Sequence, residues 1–183
     1  SAASTLQPTT GEVADGYYRI FVTDNYNFNS APLIHYWGGS SATDWNKRPT
    51  MNKVIGTNAQ GESVYWYDVP SGSEGVIFQH PEKNQSVDLN VKTDQNLKFG
   101  NGAGYYISSE NENKTRYIYA YWDASSLLPQ ETKPDVADSV TLEANPTSVK
   151  VGNSVTLTPT VISAKPGNLT YTYNKITGGT ATE

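Results

Sequence analysis

Ser63-Val-Tyr-Trp-Tyr-Asp-Val69, then Pro70-Ser-Gly-Ser-Glu-Gly75, then Val76-Ile-Phe78 reads as strand, turn and strand. In the first piece Val64, Trp66 and Asp68 fall on one side and Tyr65, Tyr67 and Val69 on the other. That is the period of two expected of a β-strand with two different faces. The middle piece collects Pro, Gly and Ser, which preset or permit turn conformations. The third is a continuous apolar run, as expected for a buried strand.

Other segments repeat this pattern. Upstream, Tyr17-Tyr-Arg-Ile-Phe-Val22 is a run of high β-propensity closed by the turn pair Asp24-Asn25, and Asn25 to Asn29 form a loop. Leu33 to Trp37 is a second strand stopped by Gly38-Gly39, and Met51 to Ile55 reads as a short third. Downstream follow Val87–Val91, Asn96–Phe99, Gly104–Ile107 and Arg116–Trp122. No segment sustains a helical period. Short strands with turn signals at regular spacing predict an all-β protein, an antiparallel β-sandwich over residues 16–123. Trp66 is expected in its core. Tyr105-Tyr106 and the Tyr117, Tyr119, Tyr121 series are expected as a solvent-side or cross-strand aromatic ladder.

Residues 1–15 are small, polar and Thr-rich and are expected to be a mobile lead-in. Residues 124–138 carry Pro129 and Pro134 among charges and read as a linker. Beyond it, Val140–Pro146, Ser148–Gly152, Ser154–Val161 and Leu169–Tyr173 alternate again. The run Ala144-Asn-Pro-Thr-Ser-Val-Lys-Val-Gly-Asn-Ser-Val-Thr-Leu-Thr158 resembles the opening strands of a bacterial immunoglobulin-like domain. Such a sandwich needs about 100 residues. Residues 139–183 are therefore read as a partial immunoglobulin-like domain.

The composition narrows the partners. The chain of 183 residues has a net charge of -5 and no Lys/Arg cluster beyond Lys47-Arg48. A nucleic-acid binder would show a basic stripe, and an anionic membrane surface would select one. A neutral partner fits better. Thirteen tyrosines against four phenylalanines favour amphipathic aromatic surfaces over a greasy core. With no cysteine there are no disulfides and no thiolate metal sites. No run of about 18 apolar residues is present to span a membrane.

Catalytic signals are weak. The 18 acidic residues fall almost all in turns, in no recognisable acid/base motif, and His35 and His80 are the two histidines. The sequence has no nucleophile elbow, zinc-protease helix or phosphate loop. No enzymatic activity is expected, and no metal or cofactor. Asp24-Asn25-x-Asn27-x-Asn29 lacks the spaced acids and glycine of a calcium loop and reads as turn chemistry.

The best candidate site is Pro32-Leu-Ile-His-Tyr-Trp-Gly-Gly-Ser-Ser-Ala-Thr-Asp-Trp-Asn-Lys-Arg-Pro-Thr-Met51, where aromatics are split by a polar loop. Leu33, His35 and Trp37 share one strand face, and Ile34 and Tyr36 the other. Trp45 follows in a segment rich in Ser, Thr, Asp and Asn, where core packing is less natural. His35 and Trp45 can form two tiles of a platform for the apolar faces of sugar rings. The residues by themselves favour a structural Trp45 over this platform.

The order Ile34-His-Tyr-Trp37, Asp44-Trp-x-x-x-Pro-x-Met51, Val64-Tyr-Trp-Tyr-Asp-Val-Pro70, Gly75-Val-Ile-Phe-Gln-His80 and Val87-Asp-Leu89 resembles the starch-binding carbohydrate-binding modules of families 25 and 26. The likeness covers about Tyr17 to Asp123. It implies non-catalytic binding of α-1,4-linked glucans by an aromatic pair curved to match amylose. The carried positions are His35 and Trp45, with Lys47, Gln79 and Gln85 where family members tend to place hydroxyl-binding side chains. Family 26 usually has Tyr at the His35 position and a second Tyr two residues earlier, where this chain has Leu33; His35 is closer to family 25. Tyr36 is expected in the core and Trp37 behind or flanking the platform. The likeness further implies a secreted or cell-surface bacterial protein of several domains. The competing reading is a structural or adhesive β-sandwich spacer with a protein partner.

Overall fold

The computed structural model describes residues 2–130, 139–162, 172, 175–177 and 180–182 and divides into two units, Ser1–Gln130 and Glu131–Glu183. The protein is all-β; its helical parts among the described residues are one-turn 3₁₀ helices at Trp45–Lys47, Gln95–Leu97 and Ser125–Leu127.

In the first unit the strands are β1 (Tyr17–Thr23), β2 (Leu33–Trp37), β3 (Asn52–Lys53), β4 (Val64–Pro70), β5 (Gly75–Gln79), β6 (Ala103–Glu110) and β7 (Tyr117–Asp123). One sheet has the order β3-β4-β1-β6-β7, and β2 pairs with β5 in a second, small sheet. The turn at residues 71–74 therefore joins two sheets rather than two neighbours in one. The expected strand at Val87–Val91 contributes only one bridge, Leu89 to Val76; the bridges from Gln85 to Gln79 and from Ser86 to Tyr117 lie just before it. Asn96–Phe99 holds the end of a 3₁₀ turn, where Lys98 takes a left-handed φ of 45°.

The larger sheet is not wholly antiparallel, which corrects the expectation. β1 and β6 run parallel, with Phe21 opposite Gly104 and Val22 opposite Tyr105. The reason lies in where the chain returns. Asn101 Oδ1 accepts from Arg19 N at 2.9 Å, and Gly102 N donates to Arg19 O at 2.9 Å. The chain thus rejoins the sheet near the start of β1, so β6 leaves in the same direction.

The core lies between the two sheets. Ile20, Val22, Tyr65, Val69, Tyr105, Ile107, Tyr117 and Tyr119 of the large sheet are buried with Ile34, Val76 and Phe78 of the small one. Phe78 meets Tyr119 at 5.3 Å and Tyr105 at 5.8 Å between ring centroids. Tyr105, Tyr117 and Tyr119 are therefore core residues, which rules out the solvent-side form of the expected ladder, while Tyr105 opposite Tyr121 is a cross-strand pair. Burial pushes the Tyr105 and Tyr119 hydroxyls well above their usual pKa, so both stay neutral.

The outer face of the large sheet carries a second apolar cluster of Phe21, Val54, Val64, Ala124 and Leu127, with Leu6, Trp66, Trp122 and Leu128 packed on it. Trp66 belongs here, half-buried, rather than in the central core. Two expected boundaries are corrected by this cluster. Ala124 and Leu127 are buried, so the module runs on to Gln130 and residues 124–130 are not linker; residues 131–138 lie outside those described. Residues 2–15, expected as a mobile lead-in, are docked on the module. Thr5 N donates to Thr57 O at 2.8 Å, Gln7 N to Ile55 O at 2.9 Å, and Thr9 N to Leu127 O at 2.8 Å.

Arg19 holds the next stretch. It is 2% exposed and forms a two-pronged pair with Asp68 at 2.7 and 2.8 Å. Its other guanidinium nitrogen reaches Thr9 Oγ1 at 3.0 Å, Thr10 O at 3.0 Å and Gly11 O at 3.1 Å. The guanidinium lies 3.9 Å above the Trp66 ring. A buried charge this well satisfied becomes costly when one partner is lost.

In the second unit β8 (Ser139–Asn145) pairs antiparallel with β9 (Thr156–Ile162), and β10 (Lys175–Thr177) with β11 (Thr180–Thr182). This is the expected second β segment. Ser148–Lys150 is irregular rather than a strand, and the expected strand at 169–173 falls largely outside the described residues.

Two outcomes are expected. Arg19→Met should lower stability by about 3 kcal/mol in chemical denaturation, and amide exchange should accelerate at Thr5 and Gln7, whose bonds depend on a docked lead-in. The second concerns His80, which is 2% exposed and bonded through Nδ1 to Ser30 O at 2.8 Å. Burial lowers its pKa against opposing pulls from Asp24 and the Ser30 carbonyl. The unfolded chain protonates first, near pH 6.5, so the contribution of neutral His80 is complete above that pH. It declines as pH falls through 6.5 towards the lower folded value. Denaturation midpoints should drop between pH 7 and pH 5.5, and drop less in His80→Gln.

Candidate functional site

The period of two in β2 places Ile34 and Tyr36 towards the core, opposite Phe78 and Val76, and turns Leu33, His35 and Trp37 outwards, opposite Gln79, Ile77 and Gly75. Tyr36 is in the core layer, packed against Tyr67 at 6.4 Å. The outward face of β2 and β5 carries the candidate site.

Trp37 lies flat on β5. A Cβ at Gly75 would stand 2.0 Å from Trp37 Cζ2, so only glycine admits the ring there. Beside it, the His35 ring is nearly parallel to Trp37, 5.4 Å away with 26° between planes. Trp37 is thus a flank of the platform.

The loop after β2 brings Trp45 back. Thr43 N donates to Tyr36 O at 3.1 Å, and Thr43 Oγ1 accepts from Tyr36 N at 3.1 Å. The same Oγ1 is 2.6 Å from His35 Nδ1. The Thr43 hydroxyl thus orients the imidazole through Nδ1. Asp44 then caps a 3₁₀ turn, its Oδ1 accepting from Asn46 N at 2.9 Å, and Trp45 is the first residue of that turn. The loop ends with Ile34 N bonded to Pro49 O at 3.0 Å and Met51 N to Pro32 O at 2.8 Å. Both ends are therefore fastened to the same strand.

Trp45 is 41% exposed and stands at 89° to His35, with centroids 5.1 Å apart. The three rings form a corner, not a flat platform. Arg48 covers one face of Trp45, its guanidinium carbon 4.2 Å from the ring centroid. Arg48 is in turn held by Gln79 Oε1 at 2.7 Å, and Gln79 Nε2 donates to Lys83 O at 2.8 Å. Both amide atoms of Gln79 are engaged, so Gln79 acts through Arg48 as a brace rather than as a free hydroxyl binder.

The structure brings His35, Trp45 and Trp37 together and sets Lys47, exposed, in the same 3₁₀ turn as Trp45. Leu33, Gln79 and Gln85 form the neighbouring row across the small sheet; the Gln85 backbone carbonyl accepts from Tyr117 N at 3.0 Å. No aromatic ring replaces Leu33. The sequence reading missed Thr43 and Arg48, which touch other site residues rather than belonging to a motif.

Burial lowers the His35 pKa first, the Arg48 charge lowers it further, and Asp88 opposes. The imidazole is therefore uncharged at neutral pH. Among the described residues there is no cluster of His, Asp and Glu that could hold a metal ion. What the corner offers is flat apolar surface edged by an imidazole nitrogen and the Lys47 ammonium, suited to an uncharged ligand with apolar faces and polar edges. Comparison with protein-family models, with curated proteins and with solved structures returns no match.

Removing the brace should free Trp45 without unfolding the module. Arg48→Ala is expected to lower stability by no more than about 1 kcal/mol and to reduce the heteronuclear NOE of the Trp45 indole N–H. An unchanged NOE would mean that other contacts fix the ring.

Proposed function

We propose that this chain binds α-1,4-linked glucans such as starch, amylose and maltooligosaccharides without cleaving them. The observation that carries the reading is the perpendicular pairing of His35 with an exposed Trp45. A β-1,4 chain is a flat ribbon and suits coplanar rings. An α-1,4 chain turns from residue to residue, so successive sugar faces can meet rings set at an angle. One face of Trp45 is taken by Arg48, which leaves the other for a pyranose. Trp37, lying beside His35, takes the role of a third ring in place of the one absent at Leu33.

Hydroxyl groups at the rim would meet His35 Nε2, Lys47 and Gln85, with Gln79 acting as the brace. The sequence resemblance to starch-binding modules points the same way, independently of the geometry. On this reading the module tethers a larger secreted or cell-surface protein to starch.

Trp45→Ala is expected to reduce maltoheptaose affinity by roughly tenfold or more in calorimetry, with a thermal midpoint within a few degrees of the parent, as for an exposed hot spot. A large stability loss would mean that Trp45 is a packing residue. Because the His35 pKa is lowered, affinity should be flat between about pH 6.5 and 8, changing only at more acidic pH. An inflection within that range would contradict the lowered His35 pKa.

A further inference from the structure

The outer face of the large sheet, on the other side of the sandwich from the corner, carries a cleft of about 900 Å³. That volume falls within the range of about 300–1,000 Å³ typical of small-molecule sites. Its walls come from widely separated parts of the first unit, among them Leu6 of the docked lead-in, Thr23 of β1, Gln60 and Glu62 before β4, Tyr106 of β6, Trp122 of β7 and Leu127 of the last 3₁₀ turn. We propose that this cleft is a second binding site, for a neutral oligosaccharide, built from Tyr106 and Trp122 with Gln60 and Glu62 at its polar edge. The proposal does not rest on the first site and would hold if His35 and Trp45 bound nothing.

The chemistry of the lining selects the ligand class. No Lys, Arg or His is among the residues that line it, so a phosphate or carboxylate would find no counter-charge. Glu62 is the sole carboxylate, too few for a metal ion. Its Oε1 accepts from Asn58 Nδ2 at 2.9 Å, which orients the group and leaves Oε2 for a hydroxyl donor. Asn58 Oδ1 also accepts from Gln60 N at 3.0 Å and Glu62 N at 2.8 Å, so this edge of the cleft is a braced turn.

The aromatic wall is equally constrained. Trp122 sits opposite Gly104 in the β6–β7 pair, and a Cβ at Gly104 would stand 2.6 Å from the indole. The ring therefore lies flat across the sheet, as Trp37 does over Gly75 in the small one. Tyr106 stands on the same face of β6 as Gly104, half-buried. Aromatic surfaces beside carboxylate and amide acceptors, with no cation, match a sugar ring: apolar C–H groups on its faces and hydroxyls round its edge.

The test is an NMR titration of the full chain carrying Trp45→Ala, which silences the corner. The probes are maltoheptaose, cellohexaose and xylohexaose, and the readouts are the Trp122 indole N–H and the Tyr106 amide. At least one oligosaccharide should shift both signals saturably, and adding Tyr106→Ala should weaken that binding about tenfold. Gln60→Ala, at an exposed position, should weaken it several-fold with the rest of the spectrum unchanged, guarding against misfolding of the tyrosine variant. Silence of both signals with all three sugars, in a folded protein, would overturn the proposal. So would shifts seen only when Trp45 is intact, since these would be transmitted from the corner. If the corner binds maltoheptaose and the cleft stays silent, only the second site fails; the reverse result removes only the first.

Discussion

In β2 successive side chains leave the backbone on opposite sides, so a strand of five residues must divide its bulky groups between two environments. Ile34 and Tyr36 go inwards beside Phe78 and Val76 of the same sheet, and Tyr36 meets Tyr67 of the facing one. Leu33, His35 and Trp37 are then forced outwards, over Gln79, Ile77 and Gly75. The same alternation thus completes the core and creates an aromatic face. A shift of register by one residue would exchange the two sets and cost both. The loop that carries Trp45 depends on this register as well, since Tyr36, Ile34 and Pro32 supply the backbone groups that fasten it.

Much of this was legible in the sequence because period-two patterning is local. The division of Val64, Trp66 and Asp68 from Tyr65, Tyr67 and Val69 is the division found between the outer and inner faces of β4. The pairing of His35 with Trp37 follows from their separation of two along a strand. Trp45 fell within a polar loop, and its exposure agrees with that setting. What was not legible depends on distant parts of the chain meeting. The lead-in has no hydrophobic pattern of its own. It is held by a guanidinium from β1 and by backbone bonds to residues 55, 57 and 127. Tyr105, Tyr117 and Tyr119 became core because two sheets cover them, which alternation in single strands does not reveal. The role of Gln79 changed for a similar reason: Arg48, 31 residues away, occupies its amide oxygen.

Two tryptophans share one device. Trp37 and Trp122 each lie across a strand-paired glycine, Gly75 and Gly104, on opposite outer faces of the sandwich. A flat indole over a bare backbone removes apolar area from water while one face or edge stays available to a ligand. The molecule thus carries prepared aromatic surface on both outer sides. The corner is braced by Arg48; the cleft is walled by the docked lead-in. If both bind glycans, one module could engage two chains at once, a gain that needs no stronger contact at either site.

A crystal structure of the full chain with maltoheptaose tests the central claim most directly. Glucose rings are expected against the uncovered face of Trp45 and beside His35 and Trp37, with Arg48 still bonded to Gln79. Saturating ligand that leaves the corner empty, or that is seated elsewhere on the module, would contradict it.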